Sequence, residues 1–355
     1  MAPEPARRNA PLLVVFNRSS GRGDRDTVGP AVEAACRSVG RACELFPVTQ
    51  GGQLPEVARQ AVQRAVDVGG VVVAAGGDGT INGVAQAVLG SGCAFGVLPR
   101  GTFNYFARTH GIPTELDDAL QVLLHEEAVP VQVGQVNGRV FLVNASVGLY
   151  PKMLADREMA SRRFGRKRWV AVAAAVWSLF RPASGRRWRV VMKTHQGAEA
   201  QQEEHLVTTL FVGNNPLQLD RMGLPQAQKV ADGGHLAVVM LKPQGRWAIA
   251  RTVWNAATGQ LDKDNAVVSM ACSELSVAPA SWRPPQVKVA FDGEREWMAP
   301  PLHFRISARP LWLVAPSQLA RDGASQTPPP EEAPAFVPAD TLAPGATPAP
   351  GLLPA

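Results

Sequence analysis

Four short, mostly apolar runs, LLVVF (12–16), CELFPV (43–48), VVVAA (71–75) and AFGVLP (94–99), punctuate the first hundred or so residues. Apolar residues on both faces predict strands buried from both sides. Between these runs, TVGPAVEAACRSVG, LPEVARQAVQRAV and INGVAQAVL repeat their apolar positions every three or four residues and predict covering helices. The alternation predicts an α/β first domain over residues 10–129 with a parallel sheet. From about Val129 the pattern shifts to VQVGQV, RVFLVNASVGL, RWRVVMKT, LVTTLFVGNN, HLAVVML and QVKVAFDGE, with one helical stretch near 164–179. These runs predict a second, mostly antiparallel β-sandwich domain over 130–309. PLWLVAP, at 310–316, predicts a strand that returns to the first domain. The stretch 317–355 is rich in Pro and Ala, has too little apolar patterning to fold, and is expected to be disordered.

Composition adds the partner class. With 355 residues, 46% hydrophobic and 19% charged, the chain can bury two cores. Its formal net charge is +6 while its last thirty or so residues are acidic, so the folded body is more basic than the total and favours anionic partners. Cys36, Cys43, Cys93 and Cys272 show neither disulfide-scaffold density nor zinc-site pairing, which points to a reducing, cytoplasmic setting. PLLVVF is too short for a secretory signal, and the apolar run from Trp169 to Phe180 falls short of the ~20 residues of a bilayer span. Neither export nor a membrane span is expected.

Ligands of open α/β sheets bind at the carboxyl ends of the strands. Glycine-rich pieces fall there three times: NRSSGRG (17–23), AAGGDGTIN (74–82) and LPRGTFN (98–104). Glycines at 76, 77 and 79 allow close approach by an anion, and a helix beginning near Ile81 adds its N-terminal partial charge. Phosphate fits such a loop. Asp78 would repel it unless a cation such as Mg²⁺ intervenes; the plainer role is to cap that helix. Neither GxGxxG after the first strand nor GxxxxGK[ST] is present, so the usual dinucleotide and P-loop signatures are excluded.

GGDGTIN followed by LPRGTFNYFARTHGIP, together with NRSSGRG, VNASVGL, FVGNN, KVADGG and FDGE, resembles the catalytic region of diacylglycerol kinases, sphingosine kinases and their bacterial lipid kinase relatives over residues 12–316. The resemblance implies an N-terminal nucleotide-binding domain. ATP would be held by Asn17 and Ser20, by Thr49, by Gly76, Gly77, Asp78, Gly79, Thr80, Ile81 and Asn82, and by Thr102 and Asn104. Asp78, Asp292 and Glu294 would be its catalytic carboxylates. In VAFDGEREW two carboxylates share a turn, where mutual repulsion can raise one pKa toward the working range. Either Asp292 or Glu294 is then the base that deprotonates the acceptor hydroxyl. KVADGGH matches a structural Mg²⁺ site, implying Asp232 with the carbonyls of Lys229 and Gly234. Two departures weaken that site: Tyr105 and Gln132 stand where the family typically has aspartates.

The implied function is an ATP-dependent lipid kinase with Mg²⁺. An NAD kinase-like enzyme of a soluble hydroxyl, or a catalytically weak binding relative, remains the alternative. The segment from Arg162 to Arg189 surrounds an apolar helical stretch with basic clusters and carries Trp169, Trp177 and Trp188. It predicts a peripheral contact with an anionic membrane at its cytoplasmic face; its plainer role is a core helix with solvated ends. The expected partners are a lipid substrate and such a membrane, with a homodimer left open. No nucleic-acid-binding module accompanies the basic residues.

Overall fold

The computed structural model describes residues 9–17, 27–148, 186–193, 201–243, 258–280 and 284–316, with a few positions between 245 and 255. The stretch Trp169–Phe180, its basic flanks before Arg186 and the tail beyond 316 lie outside the described residues.

The first four strands are β1 (Leu12–Asn17), β2 (Cys43–Val48), β3 (Val71–Gly76) and β4 (Ala94–Pro99). Every residue of β3 and β4 is buried, as continuous apolar runs require when helices cover both faces. The helices are α1 (Val28–Ser38), α2 (Leu54–Val68), α3 (Asp78–Val88), α4 (Tyr105–Thr109) and α5 (Leu116–His125). Local chemistry sets the limits of α2: Pro55 lies in its first turn, and Gly69 closes it in the left-handed conformation with its N–H on Ala65 O.

After β5 (Ala128–Val131) the chain builds two six-stranded antiparallel sheets. One contains β6 (Gly134–Val136), β7 (Arg139–Phe141), β9 (Arg186–Lys193), β10 (Gln201–Val207), β14 (Glu274–Pro279) and β17 (Leu302–Ile306), in the order β10-β9-β14-β17-β6-β7. The other contains β8 (Asn144–Gly148), β11 (Thr209–Gly213), β12 (Leu236–Leu241), β13 (Val267–Cys272), β15 (Val287–Phe291) and β16 (Glu294–Met298), in the order β13-β12-β11-β8-β15-β16. Val136, Phe141, Trp188, Val190 and Phe304 from the first sheet share a core with Val147, Leu210, Val238 and Val289 from the second, which makes a sandwich. Two short helices, α6 (Pro216–Arg221) and α7 (Gln226–Ala231), connect β11 to β12.

The chain then returns. β18 (Leu311–Val314) lies between β4 and β5 in the first sheet, whose order is β2-β1-β3-β4-β18-β5. It runs parallel to β4 and antiparallel to β5. The fold is thus an α/β layer with a mostly parallel sheet, joined to an antiparallel β-sandwich. Val133, Val140, Leu142 and Val143, from the start of the sandwich, pack into the core of the α/β layer. That shared packing fixes the two parts against each other at the carboxyl rim of the parallel sheet.

Candidate active site

At the end of β3 the backbone passes Gly77 and enters α3 at once, so the helix starts at Asp78, three residues before the expected Ile81. Asp78 therefore does not cap α3. Its carboxylate sits on the backbone amides of Asn104, Tyr105 and Phe106, at the start of α4. Burial pushes this carboxyl above its usual range, and those amides oppose the shift only in part. Its Oδ1 is enclosed without a hydrogen-bond partner.

The second and third glycine loops touch. Arg100 N–H donates to Gly76 O at 2.8 Å. A Cβ on Gly76 would meet the Thr80 side chain at 2.7 Å, and one on Gly101 would lie 2.7 Å from Asn104 Oδ1 and 3.0 Å from Gly77 Cα. Glycine is required at both positions by this close approach. The first-turn amides of α3 have no acceptor within the helix and, with the dipole, can receive an anion.

Several residues expected to bind the nucleotide also have partners within the fold. Asn104, at φ 49°, folds its amide onto Gly101, accepting from its N–H at 2.9 Å and donating to its carbonyl at 3.1 Å. Asn82 is buried and donates to Val140 O at 2.9 Å and Asp292 Oδ2 at 2.8 Å. Each side chain thus satisfies a buried backbone or carboxylate group of the fold. Ile81 is wholly buried in the core and Thr80 is buried beneath Gly76. At the rim, Thr102 is exposed, and Thr49, also exposed, donates to Gln53 Oε1 at 2.9 Å. Asn17 ends β1 by its backbone, and Ser20 lies outside the described residues.

Asp292 and Gly293 form the two-residue connection between β15 and β16, with Phe291 paired to Glu294. Both have positive φ, 45° and 89°, the geometry that an Asp-Gly hairpin turn favours. The Asp292 carboxylate points inward: Oδ2 accepts from Leu142 N–H at 2.6 Å and from Asn82 Nδ2, and Oδ1 accepts from the N–H groups of Val143 and Asn144, each at 2.9 Å. Burial pushes its pKa up to about 6 despite those four donors. Repulsion from Glu294, the expected cause, is not what raises it. All four acceptor positions are occupied, so Asp292 cannot take a substrate proton without giving up a donor. Glu294 is exposed, and its Oε1 stands 3.1 Å from where a Cβ on Gly79 would be, over the first turn of α3. Asp292 is thus an inward anchor of its turn, and Glu294 an outward carboxylate beside the glycine loop.

In the turn expected to hold a metal, Asp232 and Gly234 each hydrogen-bond to a glutamine. Asp232 is exposed, and its Oδ1 accepts from Gln228 Nε2 at 2.8 Å. Gly234 presents its N–H, a donor, to Gln132 Oε1 at 2.7 Å. Among the described residues no three His, Cys, Asp or Glu side chains gather as a metal site, and no helix is long and apolar enough to cross a membrane. Sequence reasoning gave no role to Asn214 and Asn215. The one available signal was the paired asparagine of FVGNN, a polar couple at the end of an apolar strand; both residues are buried.

Residues 11–136 match the sequence family of the diacylglycerol kinase catalytic domain. A Pseudomonas aeruginosa protein named "Probable lipid kinase YegS-like" is 39% identical over 148 residues, 41% of this chain and 46% of its own. The diacylglycerol kinase of Bacillus subtilis is 34% identical over 146 residues, 40% of this chain and 47% of its own. The match thus spans about half the length of these curated relatives. The crystal structure of a diacylglycerol kinase from Bacillus anthracis aligns with a TM-score of 0.59 at 17% identity, covering 86% of this chain and 96% of that one. At that identity the likeness is one of fold.

Proposed function

With a diacylglycerol kinase catalytic domain matched over residues 11–136, we propose that this protein transfers the γ-phosphate of ATP to the hydroxyl of a diacylglycerol-like lipid at a membrane surface. The observation that carries the reading is Glu294 Oε1 beside Gly79, which puts an exposed carboxylate over the N-terminus of α3. Phosphoryl transfer asks for an anchored nucleotide, an oriented hydroxyl and a nearby base. Gly76, Gly77 and Gly79 supply the anchor through backbone amides. Glu294 is the base in this reading, and Asp292 holds the turn that presents it. ATP brings its own Mg²⁺, whose chemistry is to neutralise charge on the transferring group; the enclosed, unpartnered Oδ1 of Asp78 fits a cation at that edge of the cradle. The basic segment from Arg162 to Arg181, with Trp169 and Trp177, would hold the protein against an anionic leaflet; Trp188, expected to join that contact, is instead buried in the sandwich core.

The test is a radiolabelled ATP assay over lipid and soluble hydroxyl acceptors. Label should enter acyl-chain lipids and be absent with the Glu294→Gln variant. Transfer to soluble acceptors alone would overturn the reading.

A further inference from the structure

β7 ends its sheet, with β6 as its neighbour in the ladder. An edge strand turns alternate N–H and C=O groups away from its partner. At Val140 these groups are met by a helix: Gln86 Oε1 accepts from Val140 N–H at 2.8 Å, and Asn82 Nδ2 donates to Val140 O at 2.9 Å. Gln86 Nε2 also reaches Gly138 O at 3.4 Å. Residues 82 and 86 stand one turn apart on the same face of α3, so their two amides complete the edge as a further strand would. Val140 buries its side chain in the core of the α/β layer and Phe141 in that of the sandwich. β7 is therefore the seam between the two.

We infer that Gln86 is a positioning residue, which fixes where Glu294 stands over the phosphate loop by tying β7 to the helix that begins at that loop. From Val140 the chain runs directly into the N–H groups of Leu142, Val143 and Asn144 that hold the Asp292 carboxylate. Asp292 N–H donates back to Asn144 O at 3.0 Å. Glu294 follows in the same turn, with its Oε1 beside Gly79 in the first turn of α3. Gly79 and Gln86 are two turns apart on α3, roughly 10 Å at the helical rise per residue. One helix thus carries the glycine cradle at its start and the support of the opposing carboxylate two turns further on. The Asn82 amide is shared between Val140 O and Asp292 Oδ2, and Gln86 holds the N–H side of the same residue. The inference rests on the reading of Glu294 as the base.

Amide hydrogen exchange of the full chain without nucleotide tests the clamp apart from the reaction. Gln86→Leu keeps the bulk and loses both polar atoms. It should speed exchange roughly 10-fold or more in peptides covering 140–144 and 292–294 while β3 exchanges as in the native chain. Gln86→Glu keeps an oxygen for Val140 N–H and should restore slow exchange. Gln86→Asn, one methylene too short, should give the Gln86→Leu pattern in weaker form and takes its place if that variant does not fold. In steady state, Gln86→Leu should lower kcat roughly 10- to 100-fold with KM for ATP within about twofold of native, and Gln86→Glu should recover most of the loss. Native exchange at 140–144 and 292–294 in Gln86→Leu and Gln86→Asn would overturn the inference, as would a native kcat. Faster exchange spread equally over β3, with Gln86→Glu no better than Gln86→Leu, would show a merely structural residue and overturn it too. Transfer by the native chain to soluble acceptors alone, or to none, would instead overturn the lipid kinase reading and leave the exchange result standing.

Discussion

The Asn82 side chain donates to the Asp292 carboxylate at 2.8 Å across 210 positions of sequence, from the helix behind the phosphate loop to a hairpin of the sandwich. With the amides of Leu142, Val143 and Asn144 on the same carboxylate, this contact locks the two parts of the cleft into one unit. Neighbouring acids in FDGE therefore have separable duties, and substitution should separate them.

Glu294→Gln should lower kcat by roughly 10²–10⁴ while leaving the melting temperature and ATP affinity close to native. Asp292→Ala should also lower the melting temperature, because each buried donor left unpaired costs about 1–3 kcal/mol. Paired measurements of turnover at saturating ATP and thermal melting decide this. Equal melting temperatures for the two variants would remove the anchor role from Asp292.

Asp292 also sets a pH dependence with opposite signs for stability and rate. Burial raises its pKa from 3.8 to about 6, so the folded protein holds this proton more tightly than the unfolded chain. The stability it contributes is full below about pH 4 and is lost as pH rises through about 6. Turnover should move the other way, since only the ionised carboxylate accepts from all four donors. We expect kcat to fall below about pH 6 in the native enzyme, with that limb absent in Asp292→Asn. A native pH–rate profile flat from pH 5 to 7 would contradict the assignment.

Glycine substitutions should sort by what their Cβ meets. Gly76→Ala and Gly101→Ala place it at 2.7 Å from Thr80 and Asn104, inside the cradle's own packing, and should abolish nucleotide binding. Gly79→Ala places it 3.1 Å from Glu294 Oε1, the free end of a flexible side chain, and should reduce turnover while sparing ATP affinity. Nucleotide titration by calorimetry beside steady-state kinetics reads both, and weakened ATP binding by Gly79→Ala would count against the placement of Glu294.

The proposed attachment to lipid would rest on charge and so depend on salt. Replacing Arg166, Lys167 and Arg168 with Gln should release the protein from anionic vesicles and slow lipid phosphorylation, with activity on a short-chain soluble acceptor nearly unchanged. Native binding should weaken as the Debye length falls from ~10 Å at 0.1 M salt to ~3 Å at 1 M. Vesicle sedimentation indifferent to salt and to these residues would return the segment to a structural role.

The first domain was largely legible because its signals are local. VVVAA and AFGVLP are apolar throughout, and the strands found there, β3 and β4, are buried at every position. PLWLVAP gave the returning strand for the same reason. What escaped depends on partners far along the chain. Nothing near Asn82 marks it as a ligand of Asp292. Asn104 is similar: its left-handed φ and its bonds to Gly101 are properties of the folded turn. The Asp292–Gly293 turn was visible in VAFDGEREW, but the direction of its carboxylate is decided by the amides of residues 142–144, a tertiary fact. The start of α3 was misplaced because glycines at 77 and 79 lower helix propensity where the close packing of the cradle demands them.

β18 fixes an order of assembly. The strand between β4 and β5 comes from Leu311–Val314, after the whole sandwich in the chain. As the chain leaves the ribosome, β4 and β5 must wait with open edges while some 180 intervening residues (131 to 311) are made. Domains usually fold in the order of synthesis. Here the part that is begun first is closed last, so a chain stalled before Leu311 would carry its phosphate loop on an unfinished sheet.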